Sequence, residues 1–167
     1  VTSTSGATGP VINVNEVASR GVLEDYMNVI QKNMSPIDLN VSYELDEETR
    51  ELKVSVDTKL LGEFEARDLR VGVITIEDSI SGTQAGHAGK YKHTHIIRSF
   101  LTSAFGDKAT VSDGAIYNEF SQTLKDKFVL DNMRLAVWVG RDASQSNVKG
   151  FEIYQAYEVK MTDRPYT

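Results

Sequence analysis

The ten-residue stretch ELKVSVDTKL, residues 51–60, alternates polar and apolar side chains over most of its length. Leu52 and Val54 fall on one side of an extended chain, and Lys53 and Ser55 fall on the other, because successive side chains of a strand point to opposite faces. A period of two with one dry and one solvated face is typical of antiparallel sheets. This stretch therefore predicts a β-protein and places one of its surface strands.

The same period continues on both sides of this strand. Residues 41–45 alternate in the same way, and the acidic turn at 46–49 joins the two runs into a predicted hairpin. Leu69 to Ile76 is apolar on both faces and rich in β-branched residues, which indicates a central strand. The remaining strand candidates are Tyr91 to Leu101, Ile116 to Leu124, Leu135 to Val139 and Phe151 to Met161.

One segment has a helical period instead. Apolar residues between Arg20 and Met34 recur at spacings of three and four, with Ser19 as an N-cap and Pro36 closing the segment. We therefore expect a single helix near the N-terminus.

About seven strands and one helix favour a mainly β fold, an antiparallel two-sheet sandwich of the immunoglobulin-like type. A parallel sheet would need helical crossovers, and the sequence has no segments that fit them. We expect residues 1–37 to form an N-terminal extension with a short strand and the helix. Residues 38–163 would form the β-sandwich domain.

Charge and composition narrow the classes of partner. The chain has 167 residues, 18 Lys and Arg against 24 Asp and Glu, a net charge of −6 and no Cys. An acidic balance argues against nucleic acid and anionic lipid, because both are recognised by clustered basic residues. Without Cys there is no disulfide, thiolate metal site or redox Cys-x-x-Cys pair in this chain. No apolar run approaches the ~20 residues that span a bilayer, so we expect no transmembrane segment.

Three histidines lie close together in the sequence, at His87, His93 and His95. Positions two apart on a strand share a face, so His93 and His95 could hold one metal ion, with His87 folding back as a third ligand and Asp78 as an acidic one. The alternative is structural: one imidazole is half-buried beside a tyrosine and the other lies at the surface. The sequence leaves both interpretations open.

Catalytic motifs are missing from the sequence. It has no Gly-x-Ser-x-Gly elbow, P-loop, EF-hand loop or dinucleotide fingerprint. Ser99 follows His95 by four residues, too far along a strand for a direct bond. We expect a protein that is not an enzyme and needs no cofactor.

Two further positions are candidates for binding or modification. If Leu135 and its alternating neighbours face inward, Trp138 faces outward or toward an edge, where Trp is a common interface anchor. The alternative is that Trp138 packs beneath a helix or loop. Asp78-Ser79-Ile80 fits the Asp-Ser-apolar pattern of O-glycosylation in some envelope bacteria, which makes Ser79 a candidate modification site.

The run Tyr91-Lys92-His93-Thr94-His95-Ile96-Ile97-Arg98-Ser99-Phe100-Leu101 resembles the Tyr-x-His-x-His-x-x-Arg-x-x-Leu run of the outer-membrane-protein-28-related (Omp28-like) family of bacterial envelope proteins. Gly106, Gly114 and the terminal strand from Tyr154 to Val159 also resemble this family, and the likeness covers residues 38–162.

This resemblance implies a C-terminal β-sandwich that follows a thioredoxin-like domain, and residues 1–37 look like the tail of such a domain. It also implies a location in the cell envelope, outer membrane-associated or secreted, with a role in surface exposure and adhesion. It carries over no catalytic residue. Arg98, in the shared run, is a candidate binding residue, or a structural one that pairs with a carboxylate.

Together these observations predict a non-enzymatic cell-envelope module that binds a protein or glycan at the bacterial surface. The loops at residues 79–89, 102–114 and 141–150 are its expected recognition surfaces. Two alternatives remain open: a metal-binding domain built on the His-x-His strand, and a structural partner domain of a thioredoxin-like redox protein.

Overall fold

The computed structural model describes residues 35–61, 68–142 and 151–162. The chain divides into two units, residues 1–36 and 37–167, and nearly all of the described residues belong to the second. The helix predicted between Arg20 and Met34, the short strand before it and most of the loop at 141–150 lie outside the described residues.

The regular secondary structure of the described residues is almost entirely β-strand. The strands are β1 (Ile37–Leu45), β2 (Glu51–Leu60), β3 (Leu69–Glu77), β4 (Ile80–Gly82), β5 (Tyr91–His93), β6 (Ile96–Phe100), β7 (Asp107–Lys108), β8 (Ala115–Thr123), β9 (Met133–Asp142) and β10 (Phe151–Lys160). One 3-10 turn, Leu130–Asn132, precedes β9. The mainly β prediction is confirmed, and no helix in this described part is long and apolar enough to cross a membrane.

The strands pair in three antiparallel sheets. The first has the order β1-β2-β8, and the second has the order β10-β9-β3, with both β6 and β7 pairing on the far side of β3. The third is the short hairpin of β4 and β5. The arrangement is sandwich-like, as predicted, and β3 lies in the middle of its sheet as its two apolar faces indicated. The immunoglobulin-like type stays a prediction.

A single apolar cluster joins the first two sheets. Burial alternates along β2 because its side chains point in turn to the core and to solvent. Each fully buried Val or Leu contributes about 1.5–3 kcal/mol relative to an exposed one. The central members of the cluster, from β2, β3 and β9, are Leu52, Val54, Val56, Leu69, Val71, Val73, Leu135, Val137 and Val139.

The predicted β1–β2 hairpin is confirmed. Every residue of β1 pairs with β2 without a register shift, from Ile37 opposite Leu60 to Leu45 opposite Leu52. At the turn, the backbone N–H groups of residues 48 and 49 both donate to Oδ1 of Asp46 at 2.9 Å. This local bonding satisfies the backbone of the turn and fixes where the chain reverses.

The continuous strand predicted from Tyr91 to Leu101 is wrong. Strand β5 ends at His93, strand β6 begins at Ile96, and His95 between them has a left-handed backbone conformation with φ of 55°. The backbone N–H of His95 donates to Oδ1 of Asp78 at 2.8 Å, which holds this turn in place. Because a strand no longer runs through them, His93 and His95 do not share a strand face.

Candidate functional site

The hairpin of β4 and β5 carries two of the histidines that the sequence marked as metal ligands. The ring of Tyr91 contacts His87 and His93 edge-to-face, with ring centroids 5.3 and 5.0 Å apart. His93 also lies over Gly82, where a Cβ would come within 3.1 Å of the imidazole. Such ring pairs contribute about 0.5–1.5 kcal/mol beyond their burial, so these imidazoles stabilise the hairpin.

His95 lies in a different cluster, between two carboxylates. Its Nδ1 is 3.5 Å from Oδ1 of Asp78, and its Nε2 is 3.4 Å from Oε1 of Glu158. Arg134 binds the same two acids, with Nε donating to Oδ2 of Asp78 at 2.6 Å and Nη1 donating to Oε1 of Glu158 at 2.8 Å. The cluster ties β9 and β10 to the turns on either side of the β4–β5 hairpin.

The charges of this cluster reinforce one another. The hydrogen bond from Arg134, followed by the backbone N–H of His95, holds the pKa of Asp78 below its ordinary value. The same bond raises the pKa of Arg134. Opposite charge and hydrogen bonding both favour the ionised forms, so Asp78 and Arg134 stay charged at neutral pH.

The predicted metal ligands are therefore divided between two places. His87 and His93 contact Tyr91 edge-to-face, while His95 lies between Asp78 and Glu158. Within the described ranges, no three His, Asp or Glu side chains are grouped so that they could hold a metal ion. Metal binding at these histidines stays a prediction without geometric support.

Arg98 is the arginine of the run at residues 91–101, and its side chain points into the sandwich. Its Nε lies 2.8 Å from Oε2 of Glu77, whose side chain is only 4% exposed. Its guanidinium carbon lies 4.6 Å from the centre of the Phe128 ring. The other carboxylate oxygen of Glu77 accepts the backbone N–H of Val129 at 3.1 Å. Arg98 is held by a carboxylate and a ring within the protein, and a role in ligand binding stays a prediction.

The hydroxyl of Ser99 belongs to a polar link between the two main sheets. It lies 2.6 Å from the hydroxyl of Thr75 on β3 and donates to Oε1 of Gln122 on β8 at 2.6 Å. The contact with Gln122 bridges β6 to the first sheet, and the contact with Thr75 lies within the second sheet.

Trp138 lies on the outer face of the second sheet, as the alternation along β9 indicated. It is half-buried because its indole covers Gly72 of β3, where a Cβ would overlap the ring. A Cβ at Gly106 would come within 2.7 Å of the indole Cη2. Trp138 thus packs against two glycines, and its binding role stays a prediction.

Around Trp138 this outer face is apolar and exposed. Phe100 pairs with Ile74 on β3, and Ile97 pairs with Ile76, so apolar side chains line up across the strands. The most exposed large apolar side chains on or beside this face are Ile97 (51%), Phe100 (43%), Phe105 (63%) and Ile153 (58%). We call these four residues the apolar face. Large apolar side chains that stay exposed on one sheet are candidates for an interaction site, because apolar patches commonly mark such sites.

The outer face of the first sheet is polar. On β8, Tyr117 is 64% exposed and its hydroxyl donates to Oε1 of Glu119 at 2.7 Å. This hydrogen bond raises the pKa of Tyr117. These residues were not singled out from the sequence, although the alternation along residues 116–124 already placed them on one side of a strand.

A concavity of about 840 Å³ at one end of this sheet is lined by residues of its three strands, including Glu44 and Glu119.

Ser79, the candidate modification site, lies in the turn between β3 and β4. It is exposed and has a left-handed backbone with φ of 61°. The preceding Asp78 is bound to Arg134 and to the backbone of His95. The position is accessible, and its modification stays a prediction.

Solved structures that are similar to this chain include two proteins of Porphyromonas gingivalis. HBP35 of Porphyromonas gingivalis has a TM-score of 0.72 at 15% identity, covering 86% of this chain and 46% of that chain. A domain of the outer membrane lipoprotein Omp28 from Porphyromonas gingivalis has a TM-score of 0.54 at 18% identity, covering 77% of this chain and 90% of that chain. At these identities the likeness shows the fold, and the chain spans about half the length of HBP35.

At the level of sequence, no curated protein matches the chain. The family model of outer membrane protein Omp28 matches residues 6–156, which is most of its length. This match agrees with the predicted location in the cell envelope, associated with the outer membrane, and it confirms the resemblance found at residues 91–101. The chain belongs to the Omp28 family of outer membrane proteins.

Proposed function

We propose that the chain is a non-enzymatic module of the cell envelope that binds a protein or glycan at the bacterial surface. The observation that carries this proposal is the apolar face, where Ile97, Phe100, Phe105 and Ile153 are each more than 40% exposed on or beside one sheet. Monomeric proteins rarely expose such a surface unless a partner covers it. Membership in an outer membrane family supports a partner in the envelope or at the cell surface.

The partner contacts this face through apolar side chains on a rigid sheet. Trp138, packed between Gly72 and Gly106, provides the fixed centre, and the more exposed rings of Phe100 and Phe105 provide the contact area. Aromatic anchors of this kind contribute much of the affinity in protein interfaces. The neighbouring loop at residues 102–114 borders the face, which is consistent with recognition by a loop and a sheet together.

The test measures binding of labelled protein to isolated bacterial envelopes. A Phe100→Thr, Phe105→Thr double variant is compared with the wild type and with Val129→Thr, which changes a 51% exposed apolar residue that is not one of the four of this face. We expect loss of binding in the double variant alone. Protease treatment of the envelopes identifies a protein partner, and periodate oxidation identifies a glycan. Equal binding by the double variant and the wild type would overturn the proposal.

A second candidate is that the same face docks another domain of a longer polypeptide. Its support is the alignment with HBP35, of which the chain covers 46%. A thioredoxin-like domain is the occupant that the family resemblance implies. Hydrogen exchange at Ile97 and Phe100 in longer and shorter forms of the natural protein tests it: protection only in the longer form supports docking, and equal exchange contradicts it.

A further inference from the structure

Among the strands that the structure describes, β8 is an edge of the first sheet, with β2 on one side and no strand on the other. The ladder between β2 and β8 runs without a register shift. The bonds at its two ends are Leu60 N–H to Gly114 O at 2.8 Å and Leu124 N–H to Arg50 O at 2.9 Å. In an antiparallel ladder, hydrogen-bonded residue pairs alternate with non-bonded pairs. The two end bonds therefore show that the even-numbered residues of β8 direct their N–H and C=O groups toward β2. The odd-numbered residues direct their N–H and C=O groups away from β2.

Four residues on this edge have outward backbone groups that no described strand takes up: Tyr117, Glu119, Ser121 and Thr123. Ala115 is different, because it exchanges both backbone bonds with Ser112 at 2.9 Å. We call the outward side of residues 117–121 the β8 edge.

The β8 edge has little of the usual protection against strand pairing. Exposed edges are normally blocked by charged side chains, especially Lys, by Pro, by a bulge or by short length, and of these β8 has only the carboxylate of Glu119. β8 has nine residues, AIYNEFSQT, with neither Lys nor Pro and no register shift. The edge strand β10 of the other sheet, in contrast, has a shift between Ile153 and Gln155 and ends in Lys160. Edge strand β1 is tied to the end of β10 by the Tyr43 hydroxyl, 3.2 Å from the carbonyl oxygen of Met161.

The side chains beside the β8 edge are suited to positive charge. The hydrogen bond from Tyr117 to Glu119 draws the ring along the strand and leaves it 64% exposed. Asp57 of β2 is directly opposite Tyr117, and its neighbour on β1 is Asn40, so no basic residue lies across from it. An aromatic ring flanked by carboxylates attracts an ammonium or guanidinium group through both its ring face and the nearby charges.

The lysines of this face lie in the rows that flank Tyr117 and Glu119: across to β8, Lys59 is opposite Ala115 and Lys53 is opposite Ser121, and each lysine also has an acidic partner on β1. Lys59 lies opposite Asp38, and Lys53 lies opposite Glu44. The negative charge that remains is concentrated in the rows nearest Tyr117 and Glu119. Charge complementarity therefore favours a cationic occupant at the β8 edge over an acidic one.

We propose that the β8 edge accepts an extended segment of a partner protein as an added strand, with lysine or arginine side chains over Tyr117 and beside Glu119. In such strand addition the main-chain bonds provide affinity, and every second side chain provides specificity. The site is on the opposite sheet from the apolar face, so the two proposals fail or hold separately.

The probe is a nine-residue synthetic peptide in which lysine alternates with threonine. Binding to the natural protein is followed by calorimetry and by hydrogen exchange of the amides of Tyr117, Glu119 and Ser121. We expect these amides to exchange fast in the free protein and to become protected when peptide is added. The same peptide with glutamate in place of lysine is expected to bind at least about tenfold more weakly.

Two variants separate backbone pairing from charge. Ser121→Pro removes an N–H that points to the edge and leaves the bonds to β2 intact, so we expect at least about a tenfold loss of peptide affinity. Ser121→Ala is the matched control and retains affinity. Glu119→Gln is expected to weaken the lysine peptide severalfold. Thermal unfolding of each variant confirms that the protein is folded.

Several outcomes would overturn the proposal. It is overturned if the lysine peptide does not bind at millimolar concentration, if the glutamate peptide binds equally well, or if Ser121→Pro binds the lysine peptide like the wild type. Amides already protected in the free protein would mean that the edge is covered by its own chain. Protection that rises with protein concentration would mean that a second copy covers it.

Discussion

Arg98 and Glu77 form an ion pair within the sandwich, with 2.8 Å between Nε and Oε2, and the two residues belong to neighbouring strands, β6 and β3. The Glu77 side chain is 4% exposed and the Arg98 side chain is 22% exposed. The contact is electrostatic, because the N–H of Nε does not align with the acceptor as a hydrogen bond would. The ring of Phe128 covers the guanidinium and adds a cation–π contact. In this chain, Arg98 is therefore held by a carboxylate and an aromatic ring of the protein itself.

Glu77→Gln is expected to destabilise the protein by about 2–3 kcal/mol, because the substitution leaves the Arg98 charge without its partner in a poorly solvated place. The cost is below that of a completely buried pair since Arg98 keeps some contact with water. Urea unfolding measures it, with the exposed Glu48→Gln as control.

The double variant Glu77→Leu, Arg98→Met separates the pair from its packing. Replacing both charges by apolar groups is expected to cost less than removing one, since neither is left unpaired. If the double variant is as unstable as the sum of the two single variants, the ion pair is not what holds β6 to β3.

The free energy of unfolding at acidic pH is expected to depend on the ionisation of Asp78. Its pKa is lowered in the folded protein, chiefly by the hydrogen bond from Arg134. A carboxyl whose pKa is depressed by folding stabilises the protein above its unfolded pKa, and this stabilisation is lost as pH falls through the folded value. Asp78→Asn should therefore be less stable than wild type at neutral pH, with the difference shrinking in acid.

Unfolding midpoints of wild type and Asp78→Asn across the acidic range check this prediction. Asp38→Asn, which removes an exposed carboxylate on β1, is the control and should run parallel to wild type. A constant difference between Asp78→Asn and wild type at every pH would contradict the prediction and assign the effect to the turn at His95 alone.

The course of the strands could be predicted where burial repeats locally. β2 and β3 were found from residues 51–60 and 69–76 because their side chains alternate, or are apolar throughout, according to how many faces are covered. The break at His95 was missed since its cause is distant. The carboxylate that bonds the backbone of His95 belongs to Asp78, 17 residues earlier, and no local pattern reveals it.

The candidate sites were likewise predictable where local sequence decides them and not where distant contacts do. Sequence left two roles open for Arg98, ligand binding or pairing with a carboxylate, and its partner Glu77 is set by strand order, which periodicity does not give. The β8 edge was missed for a related reason. Sequence predicts the strand, but only the pairing shows that Tyr117 and Glu119 stand on an unpaired side.

Chelator-free protein is expected to contain no stoichiometric transition metal. Zinc needs three or four ligands at about 2.0–2.3 Å, and His95 is bound in a different cluster from His87 and His93. Elemental analysis of the wild type, His93→Ala and His95→Ala checks this. We expect the variants only to lose stability. Stoichiometric zinc that disappears in both variants would restore the metal-binding interpretation.

The contact between Gly72 and Trp138 can be tested directly, and the position of the indole beside the apolar face depends on this contact. A Cβ at Gly72 would overlap the indole of Trp138, so Gly72→Ala must displace the ring. We expect a cost of about 1–3 kcal/mol and a red shift of the fluorescence, which comes from the only Trp in the chain.

Gly86→Ala is the matched control for this last prediction. Gly86 has a left-handed backbone with φ of 80° and nothing within 4 Å of an added Cβ. Its substitution costs about 1–2 kcal/mol through backbone strain and should leave the emission unchanged. A further Trp138→Ala change in the Gly72→Ala protein removes the overlap, so the two substitutions together should cost less than the sum of each alone. Additive costs would mean that the indole does not rest on Gly72, and the apolar face would lose its fixed centre.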